Sequence, residues 1–327
     1  MSDPVVNTEH SAVPAASSVP AEINWAANGN GVGFGAGEGE GEGKHARLFK
    51  VAEERRQEVT EFLRRAGEGH TLDVDYVHDL RVALRRLSEV AGLLTVLMDK
   101  GSARAVQESL KGLRKAAGDL RDMDVMGEHL RKWRMPGALK KRARGIVEAQ
   151  EKRRGELEQA LRLAATSASV AGTMVLLARV LEESSKPEAM FTAGAKLRRE
   201  LEKRIAQRRK KLKRDFGRAA KKQKAEILHE ARIAAKKLRY VVELEKELNE
   251  KGNKRELKFL KGVQQLLGDH HDVHVIEAAL EKEVMGAKPL VRGLRGAWRK
   301  WRRESERKQA ERAAEFFMRT YAWMNAG

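Results

Sequence analysis

Apolar residues recur at the three- and four-residue spacing of an amphipathic helix from Lys44 onward in this 327-residue chain. No stretch alternates apolar and polar positions for long enough to predict a strand, and an aromatic content of 5% is low for a sheet. Thr71 or Asp73 precedes a long apolar pattern and is expected to cap its helix. The pattern predicts an all-α fold with helices over residues 48–63, 71–98, 103–117, 123–133, 137–164, 167–184, 188–222, 224–250, 254–267, 272–284 and 289–324.

The first 43 residues differ in composition from the rest of the chain. They hold three of the six prolines, many Ala and Ser, and Gly at every second position from Gly29 to Gly43. Such a segment buries too little apolar surface to offset the entropy cost of ordering it. We therefore expect residues 1–43 to form a disordered acidic tail ahead of a folded domain at 44–327.

The folded domain contains the same two motifs twice. His78–Leu87 reads HDLRVALRRL, and His229–Leu238 reads HEARIAAKKL at an offset of 151 residues. Downstream, Gly118–Val125 reads GDLRDMDV, and Gly268–Val275 reads GDHHDVHV at an offset of 150. A change of one residue in the offset over so long a span favours an internal duplication.

The duplication predicts how the helices are arranged. We expect a pair of roughly four-helix bundles related by pseudo-twofold symmetry, the first over about 44–185 and the second over about 188–327. In this arrangement the two copies of each motif lie at equivalent positions. Residues just after Gly118 and Gly268 are expected to form turns, with Asp122 and Asp272 capping the helices that follow.

Each copy of the first motif places its charged residues on one face of a helix. A helix turns by 100° per residue, so the leucines of the same segment lie on the opposite face. Pseudo-symmetry is expected to bring the two charged stripes together around a basic central cavity, which suits an extended anion. The stripes consist of His78, Arg81 and Arg85 in the first copy and His229, Arg232 and Lys236 in the second, flanked by Arg86 and Lys237.

The charge of the chain supports a polyanionic partner. The net charge is +19, and because the first 43 residues contain six acidic and no basic residues, residues 44–327 carry +25. Such a charge attracts nucleic acid, anionic membranes or inorganic polyphosphate, and charge alone does not separate these. Cysteine is absent, which fits a cytoplasmic location and excludes a thiolate zinc site. We find neither a signal peptide pattern nor an uninterrupted apolar run long enough for a transmembrane segment.

The repeated motifs resemble those of the CHAD family, the conserved-histidine α-helical domain. The similarity rests on His-x-x-Arg-x-x-x-basic-basic-Leu at His78 and His229, and on Gly-x-x-Arg-Asp-x-Asp-Val from Gly118 to Val125. It continues in Leu-Gly-x-x-His-Asp, which ends at Asp272, and it covers most of 44–327. The resemblance implies a duplicated helical fold that binds inorganic polyphosphate in a basic central cavity and associates with polyphosphate granules, where other granule proteins are further candidate partners.

Matching the family's motif to this sequence also implies which residues face the ligand. Arg121 stands at the Arg-Asp position of the first copy, whereas the second copy has His271 there, so its role is open. No cofactor is implied. The polyphosphate-binding residues expected from the resemblance are His78, Arg81, Arg85, Arg86, Arg121, His229, Arg232, Lys236, Lys237 and Arg239.

Two patterns invite an enzymatic or metal-binding interpretation, and we favour neither. Residues 40–44 match a Glu-x-Glu-x-Lys signature of triphosphate-tunnel enzymes, but no strand-rich segment follows them. The run His270-His271-Asp272-x-His274 contains metal-ligand side chains, but the first copy has Arg121 at the equivalent place, and Arg does not ligate metal. The sequence thus predicts a binding protein that is not an enzyme and that has no metal site.

A nucleic-acid-binding protein of the nucleoid or of RNA is the main alternative. It would use the same basic surface, although no recognisable reader such as a helix-turn-helix is apparent. Residues 196–224 add a basic amphipathic helix with 15 Lys or Arg. That helix is expected either to contact the polyanion or to present a solvated outer face, and the sequence leaves both open.

Overall fold

The computed structural model describes residues 38–132, 135–222, 224–249 and 254–286, and some positions between 296 and 311. Within these residues it contains helices and connecting turns but no strand, which confirms the all-α prediction. Most of the predicted helix at 289–324 and residues 1–37 lie outside the described part. The helices are α1 (Glu38–Gly67), α2 (Val74–Leu94), α3 (Lys100–Lys132), α4 (Gly137–Ala165), α5 (Ala168–Ser184), α6 (Pro187–Lys222), α7 (Ala225–Leu248) and α8 (Lys254–Gly286), with a 3₁₀ turn at Thr95–Leu97 between α2 and α3.

Local capping explains several helix starts. Asp73 caps α2, because its Oδ1 accepts a hydrogen bond of 2.7 Å from the backbone N–H of Tyr76. Ser167 caps α5 through the N–H of Val170. Gly69 joins α1 to α2 with a φ of 82°, a conformation that favours glycine. The capping prediction at Asp73 is confirmed.

The helix α1 begins earlier than the sequence pattern predicts. It starts at Glu38, inside the segment assigned to the tail, so residues 40–44 are helical and do not form the alternating strand of the triphosphate-tunnel signature. Glutamate has good helix propensity, which partly offsets the cost of the glycines that alternate with it.

The predicted turns after Gly118 and Gly268 are wrong. The helices α3 and α8 run through these positions without a break. A glycine inside a helix costs roughly 1 kcal/mol, and burial of neighbours such as Ala117 and Leu120 offsets that cost. Asp122 and Asp272 therefore do not cap helices.

The apolar core runs through both predicted halves of the chain. Its main cluster joins buried residues of α1 through α8, including Leu80 and Leu84 on α2 and Leu238 on α7. A smaller cluster joins α3, α4 and α8 with Trp298. The helices α2 and α7, which carry the two copies of the His-x-x-Arg motif, pack against each other, and each also packs against the next helix that carries the glycine motif. The internal duplication and the central cavity stay predictions.

No single helix within the described residues is long and apolar enough to cross a membrane. The helices α4 and α5 reach that length and composition only together, with a bend of 45° between them.

Candidate functional site

The two charged stripes meet where α2 packs against α7. Arg85 and Arg81 of α2 are the strongest charged neighbours of Lys236 on α7. Arg232, one turn earlier on α7, also faces Lys236, and Asp122 of α3 supplies an opposing negative charge. We call Arg81, Arg85, Arg232 and Lys236 the cationic cluster. The structure thus brings together four of the residues that the sequence analysis assigned to the site.

The helices α2 and α7 each combine a buried apolar face with a charged face. Leu80, Ala83 and Leu84 of α2 and Ala234 and Ala235 of α7 are buried. The cationic side chains of the cluster are half-buried on the other face of each helix, as the periodicity of the motif predicts.

Crowding of positive charge changes the protonation of Lys236. Burial first, and then repulsion from Arg85, Arg81 and Arg232, lowers the pKa of Lys236 to about 6. Burial and the neighbouring Arg81 also lower the pKa of Arg85. Near neutral pH, the ligand-free protein thus holds Lys236 mostly as a neutral amine, because a further charge in the cluster is costly.

Tyr240 extends the cluster along α7. Arg85 Nη1 donates a long hydrogen bond of 3.4 Å to the Tyr240 hydroxyl, which links α2 to α7. The Arg239 guanidinium lies over the Tyr240 ring at 4.7 Å and donates to Glu243 Oε1 at 2.8 Å. Arg239 Nε is buried without a hydrogen-bond partner.

The helix α3 contributes Asp122 to the edge of the cluster. Arg81 Nη1 donates to Asp122 Oδ1 at 2.7 Å. Arg121 is half-buried, and its Nη1 also lacks a hydrogen-bond partner. In α8, the equivalent Asp272 lies instead with its Oδ2 3.4 Å from His129 Nε2. The carboxylates predicted to cap turns thus interact with side chains of neighbouring helices.

The two motif histidines lie in different environments. His78 is exposed, whereas His229 is half-buried. Burial and then repulsion from Arg232 and Lys236 lower the pKa of His229, so its imidazole is mainly neutral at pH 7 in the ligand-free protein. The two histidines are therefore not equivalent, despite their equivalent positions in the sequence.

Comparison with known proteins identifies the fold that carries this cluster. The protein-family model of the CHAD domain matches residues 51–281, which is more than half of the chain. The chain belongs to the CHAD domain family. The crystal structure of the CHAD domain from the plant Ricinus communis is similar, with a TM-score of 0.59 and 18% sequence identity, over 83% of this chain and 89% of that one. No curated protein matches the chain.

The CHAD match includes every residue of the cationic cluster. It spans α2 to α7 and most of α1 and α8, and so contains Tyr240 and Asp122 as well. Tyr240 was not among the residues predicted from the sequence, although it directly follows the basic run that ends in Arg239. The tyrosine beside that basic run was the signal in the sequence that could have identified it. Its contact with Arg85 becomes apparent only from the packing of α2 on α7.

Two predicted site residues lie outside the strongest interactions of the cluster. Lys237 is exposed, and its backbone carbonyl accepts a hydrogen bond of 2.7 Å from Arg208 Nη1 of α6. The same Arg208 nitrogen lies 2.7 Å from Glu89 Oε2 of α2, so it ties three helices together. Arg86 is half-buried on α2 and is not among the principal charged neighbours of Lys236.

The basic helix α6 serves partly as a structural element of the CHAD fold. Its apolar stripe is buried, as its amphipathic pattern predicts. Arg209 forms two hydrogen bonds with Glu256 of α8, at 2.9 and 2.7 Å, and Arg204 donates to the carbonyl of Gly92 at 2.6 Å. These arginines hold helices together, while other basic residues of α6, such as Lys210, are exposed.

The structure offers no support for a metal centre among its described residues. No group of three His, Asp or Glu side chains converges within that part of the chain. The side chains of His270 and His271 lie outside it, so the absence of a metal site stays a prediction.

Proposed function

We propose that this CHAD domain binds inorganic polyphosphate through the cationic cluster and so associates with cytoplasmic polyphosphate granules. The family is associated with polyphosphate binding in general. The observation that carries the proposal for this chain is the convergence of Arg81 and Arg85 with Arg232 and Lys236 from a second helix. So many converging cations oppose one another in the ligand-free protein, and an anion placed among them relieves that repulsion.

A linear polyphosphate suits this arrangement for chemical reasons. Each of its units carries negative charge and acceptor oxygens, so one chain can contact several cations in turn. Arginine donates two parallel hydrogen bonds to such oxygens, and protonated lysine supplies a point charge.

We infer that the protein binds polyphosphate without hydrolysing it. Hydrolysis of phosphoanhydrides with Mg²⁺ requires several carboxylates that hold the metal beside the phosphates. Among the described residues, Asp122 is the carboxylate that acts on both Lys236 and Arg85, and a single carboxylate is too few to hold the metal. Incubation of the protein with polyphosphate and Mg²⁺ or Mn²⁺ should release no phosphate. Release that scales with protein concentration would contradict this inference.

Charge reversal in the cluster tests the site directly. The double variant Arg81→Glu/Arg232→Glu should abolish binding of long-chain polyphosphate, measured by calorimetry. A matched control is Lys140→Glu/Lys141→Glu, because both lysines are exposed on α4 and the change in net charge is the same. The control should retain most of its affinity. Equal losses in the two double variants would show that net charge, and not the cluster, governs binding.

Competition with duplex DNA of matched charge separates polyphosphate from nucleic acid. Polyphosphate should remain bound at the higher of two salt concentrations when DNA is added, if the cluster is shaped for a single phosphate chain. Equal displacement by DNA would favour a general polyanion surface and thus a nucleoid-associated or RNA-associated role.

A further inference from the structure

The carboxylate of Asp122 occupies an unusual place for an acidic residue, at the exposed edge of a cluster of positive charge. Its side chain is 70% exposed, whereas that of its partner Arg81 is 21% exposed. The carboxylate thus reaches from solvent towards a guanidinium that belongs to the cluster. It also acts on Arg85 and Lys236 as an attractive charge.

The ion pair between Arg81 and Asp122 contributes little to holding the fold together. Pairs with a carboxylate mostly in water stabilise proteins weakly, because solvent screens them and side-chain entropy opposes them. The packing of α2 against α3 rests instead on buried apolar residues such as Leu84 and Leu113. The position of Asp122 therefore calls for an explanation other than stability.

A carboxylate and a phosphate use the same donors on an arginine. Both accept charge-assisted hydrogen bonds from guanidinium N–H groups at about 2.7–2.9 Å, and the Arg81–Asp122 contact of 2.7 Å falls in that range. A phosphate oxygen cannot occupy this position on Arg81 while the carboxylate does. Asp122 is thus a tethered competitor for an incoming anion.

The second motif copy provides an internal comparison. Asp272, at the position equivalent to Asp122, lies near His129. Arg232, which is equivalent to Arg81, has no carboxylate partner among the side chains that the structure describes. Arg232 lies against Gly268 of α8, where an added Cβ would be 3.8 Å from its Nε. Among the described side chains, one arginine of the pair therefore has its own counter-ion, and the other does not.

We propose that Asp122 is an affinity- and specificity-determining residue, an internal anion that occupies Arg81 until a polyanion displaces it. The proposal rests on polyphosphate binding at the cationic cluster. A tethered carboxylate competes with single small anions for Nη1 of Arg81, because it is always present beside the guanidinium. A polyphosphate chain displaces it, because contacts with the other cations of the cluster compensate for the ion pair that is lost.

The test compares two variants that each remove one negative charge from α3. Asp122→Asn removes the competitor, and Asp119→Asn is the control, because Asp119 pairs with Lys115 on the same helix at 2.6 Å. In calorimetric titrations with long-chain polyphosphate, we expect Asp122→Asn to bind about fivefold more tightly than wild type. Asp119→Asn should change the affinity by less than about twofold. An affinity of Asp122→Asn that is no higher than that of Asp119→Asn overturns the proposal.

A second comparison shows whether Asp122 acts through Arg81. In an Arg81→Met background, Asp122→Asn should no longer raise the affinity, as a double-mutant cycle requires for a direct interaction. A gain that persists in full would indicate a general charge effect and overturn the proposal. Inorganic phosphate should compete with polyphosphate more strongly in Asp122→Asn than in wild type. Wild-type protein that binds no polyphosphate would overturn the proposed function and this inference together, whereas equal affinities of the variants overturn the inference alone.

Discussion

At the scale of single residues, Lys236 shows how binding and stability oppose each other in this protein. Its ammonium would complete the cationic cluster, but burial and three arginines lower its pKa to about 6. Folding at neutral pH therefore requires Lys236 to give up a proton that it holds in the unfolded chain. A residue that destabilises the ligand-free protein but favours binding of an anion is expected at a binding site.

Replacing Lys236 with methionine should separate these two roles. Lys236→Met keeps the length of the side chain but needs no deprotonation, so we expect the free energy of unfolding at pH 7 to rise by about 1 kcal/mol. The affinity for polyphosphate should fall. Chemical denaturation measures the first effect, with Lys237→Met as the control, because Lys237 is exposed beside it. A destabilised Lys236→Met would show that the amine makes a favourable contact in the folded state.

Polyphosphate binding should depend on pH around Lys236. Above pH 6 its amine is mainly neutral in the free protein, and a bound polyanion raises its pKa, so binding takes up a proton. Protonation of Lys236 should therefore increase the affinity by up to about tenfold for each pH unit from 8 down to 6, and this contribution should level off below that range. His229 adds to the effect, since its pKa is also lowered. Calorimetry in two buffers of different ionisation enthalpy measures the proton uptake. If the Lys236→Met variant takes up as many protons as wild type, another group and not Lys236 accounts for the uptake.

The sequence alone was enough to predict all four residues of the cationic cluster but not their interactions. The spacing of Arg81 and Arg85 on one helix face follows from helical geometry, and their recurrence in a second motif distinguishes them from an ordinary solvated face. The contact with Tyr240 and the ion pair with Asp122 join different helices. They depend on how α2, α3 and α7 pack, which local periodicity does not determine.

At the scale of helices, local sequence signals predicted where a helix starts better than they predicted whether it continues through a glycine. The cap at Asp73 could be predicted because it depends on one side chain and a nearby backbone N–H. The continuity of α3 through Gly118 could not be predicted, because the cost of glycine is local whereas the compensating burial comes from other helices. Interior glycines in this protein thus need to be judged by what surrounds them.

Two glycines on neighbouring helices should respond in opposite ways to substitution by alanine. A Cβ at Gly194 of α6 would overlap the ring of the buried His45 of α1, so Gly194→Ala should lower the free energy of unfolding by about 2 kcal/mol. Gly172 of α5 has open space around it, so Gly172→Ala should raise it by about 0.5–1 kcal/mol. Thermal and denaturant unfolding measure both. A neutral Gly194→Ala would mean that α1 and α6 separate at little cost.

At the scale of the whole molecule, the internal repeat pointed to a relation between α2 and α7, and the structure places these helices in contact. It did not reveal that one core connects helices of both predicted halves, because contacts such as those of α1 with α6 join segments far apart in the sequence. The chain outside its acidic N-terminal segment carries +25, far more than the cationic cluster contains. The question at this scale is whether the cluster or the total charge dominates binding.

The salt dependence of binding should answer that question. Each cation that neutralises a phosphate releases counter-ions, so the logarithm of the association constant falls with the logarithm of salt concentration by roughly 0.7–0.9 per contact. Arg81→Met/Arg232→Met should lower the magnitude of that slope by about 2 relative to wild type. Lys140→Met/Lys141→Met removes the same charge from the exposed face of α4 and should leave the slope nearly unchanged. If both variants lower the slope equally, polyphosphate wraps the surface as a whole. A loss confined to the arginine variant means that a polyanion is held at the contact of α2 and α7, with the remaining charge raising the rate of encounter.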